Sequence, residues 1–283
     1  MMIISKREKK EIDNLFKKVM ALRIQSKSYW NYIFKLQSLG NKYTFSVAEK
    51  LCSSKKKSNR LIGINVISQL FTIKKSSKEN IHKRLYRRES INVIKKFLNS
   101  QDEDILLATI YGLGHLNTSN IGQLIGKFSN HKKSKIRFAV AFALGGDESN
   151  TAINKLITLT KDKDPIIRDW ATFSLGNIGE RDTSIIREAL FQRVKDRDAN
   201  TRNEAIIGLA KRKDIRVIDI IQNEIETENP WGSIFEAIVE YPKREYLPAL
   251  KNHWNKASKK ERNEKFWFSL LNDAIKACNS IRK

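Results

Sequence analysis

Apolar residues in this 283-residue chain recur with helical spacing, and one short pattern returns along most of its length. It is carried by SNRLIGINVISQL (58–70), DILLATIYGLGHL (104–116), KIRFAVAFALGGD (135–147), IIRDWATFSLGNI (166–178), NTRNEAIIGLAKR (200–212) and SIFEAIVEY (233–241). In each, a slim residue (Gly63, Thr109, Val140, Ala171, Ala205, Ala237) is followed four positions later by a large apolar one (Ile67, Leu113, Leu144, Leu175, Leu209, Tyr241). Such a pair marks the buried stripe of a helix. Three positions before the slim residue stand Arg60, Leu106, Arg137, Arg168, Arg202 and Ile234, at intervals of 46, 31, 31, 34 and 32 residues.

A second set of apolar stretches lies between these: FSVAEKLC (45–52), NIGQLIGKF (120–128), AINKLITLT (152–160), TSIIREALFQRV (183–194) and IRVIDIIQNEI (215–225). The repeating unit is therefore helix, turn, helix, and stacked neighbours share the core that one pair alone cannot close. The long first interval predicts an enlarged helix over roughly 78–98. Segments 11–39 and 258–280 predict atypical helical caps. The fold expected is all-α: a right-handed α-solenoid of about six to seven helix-pair repeats. It divides into a basic N-terminal cap (1–43), the repeats (44–241) and a C-terminal cap (242–283).

The stretches DKDPIIRDWATFSLG (162–176), DRDANTRNEAIIGLA (196–210) and KIRFAVAFALG (135–145) resemble the HEAT-repeat superfamily. The likeness is to the short subtype found in phycobilin lyase subunits and bacterial stand-alone proteins, and it spans about residues 44–241. It implies a solenoid, and implies that Arg168 and Arg202 reach carboxylates of adjacent repeats. Asp162 and Asp196, six residues before those arginines, are expected to cap the helices that follow. Because the family hosts many roles, function has to be argued from the site.

Composition narrows the class. No apolar run approaches the ~18 residues of a membrane span, and MMIISKREKKEIDNLF has no apolar signal region. With only two cysteines, Cys52 and Cys278, far apart in the chain, neither a disulfide framework nor a metal site is expected. A cytoplasmic protein without a cofactor is the resulting expectation. The net charge of +23 is lopsided: residues 1–100 hold 24 Lys+Arg against 6 Asp+Glu, 101–230 hold 19 against 19, and 231–283 hold 11 against 6. A positive pole of this kind attracts anionic partners. Its candidate contacts are Lys55, Lys56 and Lys57 in one inter-helix turn, and Lys74 and Lys75 in the next. Lys83, Arg84, Arg87 and Arg88 on the enlarged helix, and Lys132 and Lys133, complete the set.

Candidate catalytic chemistry is sparse. Gly114, Gly145, Gly176 and Gly179 fall where helices end in the left-handed conformation, and GLGHLNTSNIG (112–122) follows a helix, so it lacks the strand context of a phosphate loop. His82, His115, His131 and His253 are scattered, with none of the His-Glu dipeptides through which HEAT-repeat deoxyhypusine hydroxylases hold iron.

Around the helix, Ala171, Leu175 and Ile178 form the core stripe; Asp169 and Phe173 fall opposite, with Trp170 on the flank. The equivalent rows are Leu61, Leu107, Phe138, Asp169, Asn203 and Phe235; Asn65, Tyr111, Phe142, Phe173, Ile207 and Val239; and Ile62, Ala108, Ala139, Trp170, Glu204 and Glu236. They predict an inner surface with aromatic groups at its middle, carboxylates towards the C-terminal half and hardly any lysine. Tyr111, Phe138, Phe142, Asp169, Trp170, Phe173, Asn203 and Glu204 are the candidate groove residues. Packing of inner helices against their neighbours is the competing account of the same aromatics. The expected role is a non-enzymatic scaffold gripping a protein or peptide. The alternative is a nucleic-acid binder. Its enzymatic form resembles the HEAT-like-repeat DNA glycosylases, with Asp169, Trp170 and Arg137 in the site. A tetrapyrrole lyase subunit is a third role that the resembling subtype permits.

Overall fold

Many of the helices begin at a polar residue whose side chain caps the first turn, and each buries an apolar face. In the computed structural model, residues 4–75, 80–117, 120–256, 258 and 266–281 are described, with backbone alone for 73–75 and 80–82. They form two compact units, Met1–Ala143 and Leu144–Lys283.

In the first unit, Ser5 and Glu8 make a capping box that starts α1 (Lys6–Met20), which buries Ile12, Phe16 and Val19. Ser26 caps α2 (Lys27–Ser38) and Asn41 caps α3 (Lys42–Cys52). Helix α4 (Lys57–Ile67) packs on α1, α2, α3 and α6 (Glu103–His115), so Leu61, Ile62, Ile64, Val66 and Ile67 are all buried. A Cβ on Gly63 would sit 2.5 Å from the Ala48 carbonyl oxygen, which fixes glycine at the α3–α4 contact. Helices α7 (Ile121–Ile125) and α8 (Ser134–Leu144) follow, and a Cβ on Gly114 would lie 2.8 Å from the Ala143 Cβ.

The enlarged helix expected over 78–98 does not form among the described residues, which exclude 76–79. Its place is taken by a hairpin, β1 (Phe71–Lys75) antiparallel to β2 (Asn80–Arg84), with Phe71 opposite Arg84 and Lys75 opposite Asn80. Helix begins only at α5 (Arg87–Ile94), which continues as a 3-10 turn over Lys95–Asn99. The aromatic and β-branched start, Phe71-Thr72-Ile73, favours strand, and the Phe71 carbonyl accepts the Gly40 N–H at 3.0 Å, tying the hairpin to the end of α2. Lys83 and Arg84 therefore lie on a strand, and only Arg87 and Arg88 lie on a helix.

The second unit pairs α9 (Asn150–Leu159) with α10 (Pro165–Phe173), α11 (Ser184–Phe191) with α12 (Ala199–Lys211), and α13 (Ile218–Ile225) with α14 (Gly232–Glu240). Helix α15 (Leu247–Lys256) and α16 (Phe266–Asn279) close its end; of the cap helix expected over 258–280, Phe266–Asn279 forms, and residues 259–265 lie outside the described ones. The Trp267 indole N–H donates to the Pro230 carbonyl at 3.0 Å, and its ring meets Phe235 edge-on at 4.9 Å.

The recurring arginine has one job in four places. Its Nη1 reaches back to the carbonyls five and six residues earlier: Arg60 to Ser54 and Lys55, Arg137 to His131 and Lys132, Arg168 to Asp162 and Lys163, and Arg202 to Asp196 and Arg197, all at 2.7–3.3 Å. Each bond closes the turn between the two helices of a pair. Arg168 also forks onto the Asp196 carboxylate at 2.8 and 3.0 Å, linking one repeat to the next. The helix caps differ from expectation. Asp164 and Asp198 accept the first-turn N–H groups, while Asp162 and Asp196 each accept the N–H two residues on and brace the turn.

The glycines also serve another purpose than the one expected. Among the glycines of the described residues, Gly146 has positive φ, whereas Gly176 and Gly208 let two helical segments touch: a Cβ on Gly208 would lie 2.7 Å from the Gly176 Cα. Here α10 widens into a π-helical turn over Ser174–Ile178, and Ile178, expected in the core, is 38% exposed. Arg212 fills the end of that turn. Its guanidinium is buried and donates to the carbonyls of Leu175, Gly176, Gly179, Arg181 and Gly208 at 2.6–3.3 Å, satisfying acceptors that a helix C-terminus leaves open.

Two outcomes follow from these contacts. Arg212→Met strands those carbonyls and lowers stability by about 3 kcal/mol in denaturant titration. Gly208→Ala separates α12 from the π-helical turn at a cost of about 1–3 kcal/mol, whereas Gly232→Ala, whose Cβ meets nothing nearer than 3.4 Å, leaves the midpoint within about 0.5 kcal/mol of wild type.

Candidate functional site

The second unit gathers the carboxylates. Asp169, Trp170 and Phe173 project from α10, Asn177 from the π-helical turn, Asn203 and Glu204 from α12, and Glu236 from α14. Asp169, Trp170, Phe173, Asn203 and Glu204 are half-buried. The Asn177 side-chain N–H donates to Glu204 Oε2, and the Asn177 carbonyl accepts from Lys211 Nζ at 2.8 Å. Trp170 and Phe173 meet edge-on with centroids 5.8 Å apart.

No cation of this unit neutralises Asp169 or Glu204 among the described ion pairs. Arg168 and Arg193 engage Asp196, Arg187 engages Asp182, Arg216 engages Asp214 and Glu188, and Arg202 stacks over the Trp231 ring at 5.1 Å. The Oδ1 atoms of Asp169 and Asn203 are buried without a hydrogen-bond partner. Burial, followed by the charge of Asp169, pushes Glu204 up to about 7, with Glu236 adding and the Asn177 bond opposing. Burial and then Asp198 push Asp169 upward as well. Carboxylates that share one desolvated place hold protons to higher pH than isolated ones.

In the first unit, Tyr111 and Phe142 meet edge-on at 5.4 Å, His115 meets Phe142 at 5.2 Å, and Phe138 is half-buried. Tyr111 also lines a cavity of about 240 Å³ whose far wall is α2, through Trp30 and Gln37. The repeat pattern does not reach α2, so Trp30 and Gln37 escaped the sequence reading. The one signal they offered was an aromatic-rich helix, KSYWNYIFKLQS, inside a segment assigned to a cap.

Four row positions expected on the inner surface are core instead. Leu61, Ile62 and Ala139 are buried, and Phe235 is covered by Trp267. Among the candidate basic contacts, Lys57 pairs with Asp102 at 2.9 Å and Asp104 at 2.7 Å, and Arg87 donates to the Leu116 and Asn117 carbonyls. Lys55, Lys56, Lys83, Arg84, Arg88, Lys132 and Lys133 are exposed. The side chains of Lys74 and Lys75 lie outside the described residues. By sequence, the first unit carries 29 Lys+Arg against 9 Asp+Glu, and the second 25 against 22.

Among the described residues, no group of three or more His, Cys, Asp or Glu is placed to hold a metal ion, and no helix is long and apolar enough to cross a membrane. Cys52 and Cys278 are both buried and unpaired.

Helix pairs of about thirty residues, locked turn by turn through arginine, define a helical-repeat protein. A family model for HEAT repeats matches residues 91–176 and 153–238, and the chain belongs to that family: it is an all-α repeat solenoid. Protein YibA of Escherichia coli K12 is 30% identical over 219 residues, 76% of this chain and 75% of YibA. The crystal structure of Escherichia coli YibA is similar in fold, with a TM-score of 0.69 and 24% identity, covering 99% of each chain. A crystallised engineered protein follows at a TM-score of 0.52 and 13% identity, over 95% of this chain and 78% of its own.

The raised Glu204 carries a sign opposite to that of ordinary carboxylates. Between its unfolded value of 4.5 and about 7 the folded state binds the extra proton, so its contribution to stability falls as pH rises through that window. Glu204→Gln removes the penalty. At pH 8 the variant is more stable than wild type by about 1 kcal/mol, allowing for the half-exposed site, and the gain disappears by pH 5 in parallel thermal melts.

Proposed function

We propose that this HEAT-repeat protein is a non-enzymatic scaffold that grips a protein segment along the carboxylate and aromatic strip of its second unit. The observation that carries this reading is the pair of half-buried carboxylates, Asp169 and Glu204, left without a cation of their own beside Trp170 and Phe173. A lysine or arginine brought by a partner restores the missing charge in a desolvated place, where a charge-assisted bond is strongest. An apolar neighbour on the same segment packs against the two rings. Phe138, Phe142 and Tyr111 form the corresponding aromatic surface of the first unit. The family's use of helical stacks as extended binding surfaces supports a scaffold, and the two unpaired cysteines are in keeping with a cytoplasmic setting.

A second reading rests on charge. The first unit's excess of cations favours an anionic partner such as nucleic acid, contacted through Lys55, Lys56, Lys83, Arg84, Arg88, Lys132 and Lys133. The glycosylase form of that reading is weaker, since Arg137 is buried and donates to the carbonyls of its own turn.

Affinity capture from cells, run with and without nuclease, tests the first reading. Asp169→Asn with Glu204→Gln lowers recovery of a nuclease-resistant protein partner by about tenfold or more, and Phe173→Ala lowers it by a smaller factor. Recovery unchanged in both variants, or a partner set abolished by nuclease, overturns it.

A further inference from the structure

The cavity of the first unit has a wall chemistry that the scaffold reading leaves unused. Its apolar floor is Leu61, Leu107 and Ala108. Four side-chain carboxamides line it, those of Gln25, Gln37, Asn65 and Gln69, with hydrogen-bonding capacity to spare. Gln37 is 7% exposed and donates to the Asn65 carbonyl at 2.9 Å, leaving its Oε1 open; Asn65 donates to the Tyr29 hydroxyl at 2.9 Å, leaving its Oδ1 open. Gln69 makes no side-chain hydrogen bond among the described residues, and neither does the Tyr111 hydroxyl. Trp30 stands at the rim, 46% exposed and held edge-on against Tyr29 at 5.1 Å.

We infer that this cavity is a binding site for a single nucleobase, stacked on the exposed Trp30 ring with its polar edge read by Gln37, Asn65 and Gln69. Carboxamides present a donor and an acceptor side by side, matching the paired donors and acceptors of a base edge, and aromatic rings accept the face of any base. At about 240 Å³ the space suits one ring system, below the ~300–1,000 Å³ of drug-sized sites. Charge decides between a base and a peptide backbone, which carboxamides would also suit. The unit's 20-charge excess attracts phosphate, and burial, followed by the charge of Arg84, holds the His115 imidazole on the cavity wall below its ordinary value. Arg23 and Lys27 flank the wall residues Ile24 and Gln25 in the chain. The one carboxylate of the wall, Asp104, is held by Lys57 at 2.7 Å and Lys135 at 3.1 Å and does not repel an anion. All of these groups belong to the first unit, so the inference stands independently of the strip in the second.

Two sources carry this chemistry, an unpaired base in a single strand and a free nucleotide, and one titration set separates them. The full chain is titrated, at fixed salt, with a ten-nucleotide single strand, with an abasic strand of the same length and phosphate count, and with AMP and UMP. At least one base-bearing probe binds. If it is the strand, it binds at least about fivefold tighter than its abasic counterpart. Trp30→Ala and Gln69→Leu each erase the base-dependent binding while leaving the abasic affinity unchanged. Neither side chain makes an internal hydrogen bond among the described residues, and unchanged thermal melts verify the fold of both variants. Mononucleotide binding lost in the same variants assigns a free nucleotide; binding of the strand alone assigns a strand. Equal affinity for both strands without mononucleotide binding, base-dependent binding that survives both substitutions, or no binding of any probe overturns the inference.

Discussion

Every turn carrying the recurring arginine is closed from within, because Arg60, Arg137, Arg168 and Arg202 fold back onto carbonyls five and six residues earlier. A guanidinium suits this role because its planar fork presents several donors at fixed angles and stays charged at any working pH. The bond fixes the direction in which the second helix leaves the turn. That direction sets which face turns to the core, so the slim-then-large stripe is buried in repeat after repeat. Arg212 extends the device to a helix end, holding the widened turn after α10 shut around five carbonyls. What surrounds these locks is ordinary apolar packing, and it can be continuous because the turns do not drift.

The same economy of arginines shapes the electrostatics. In the second unit the guanidinium groups of Arg168, Arg187, Arg193 and Arg216 are tied to carboxylates, and those of Arg202 and Arg212 to carbonyls. With those six guanidinium groups locked into the frame, none of them neutralises Asp169 or Glu204. In the first unit most of the positive charge lies on exposed lysines, where solvent screens it and an anionic partner can reach it. The two units thus present opposite chemistries from one repeat plan.

Much of the frame was legible in the sequence because it repeats. The spacing of Arg137, Arg168 and Arg202 located the helix pairs, and the i, i+4 stripe located their cores. Legibility failed where the repeat is interrupted. The paired strands Phe71–Lys75 and Asn80–Arg84 sit in the 46-residue interval, where no neighbouring repeat says what to expect and the lysines and arginines favour helix. The π-helical turn shifted Ile178 out of the core by adding a residue to one turn of α10, which regular wheel arithmetic does not register. Trp267 covers Phe235 from a helix outside the pattern. Periodicity alone placed Asp169 and Glu204 on neighbouring helices, but their lack of a cation depended on where six arginines point, which is a three-dimensional fact. The cavity beside Tyr111 was invisible for the same reason, since Trp30 and Gln37 close it from α2, a helix outside the repeat pattern.

The central claim is that the arginine locks hold α10 and α12 in register, and with them Asp169 and Glu204. Hydrogen exchange of Arg168→Lys against wild type tests it most directly, because lysine keeps the charge but cannot close the turn and fork onto Asp196 together. Protection is expected to fall in residues 162–168 and 196–202 by the equivalent of about 1–2 kcal/mol, while α14 and α16 keep theirs. Protection unchanged in both turns, or lost evenly along the chain, would contradict the account.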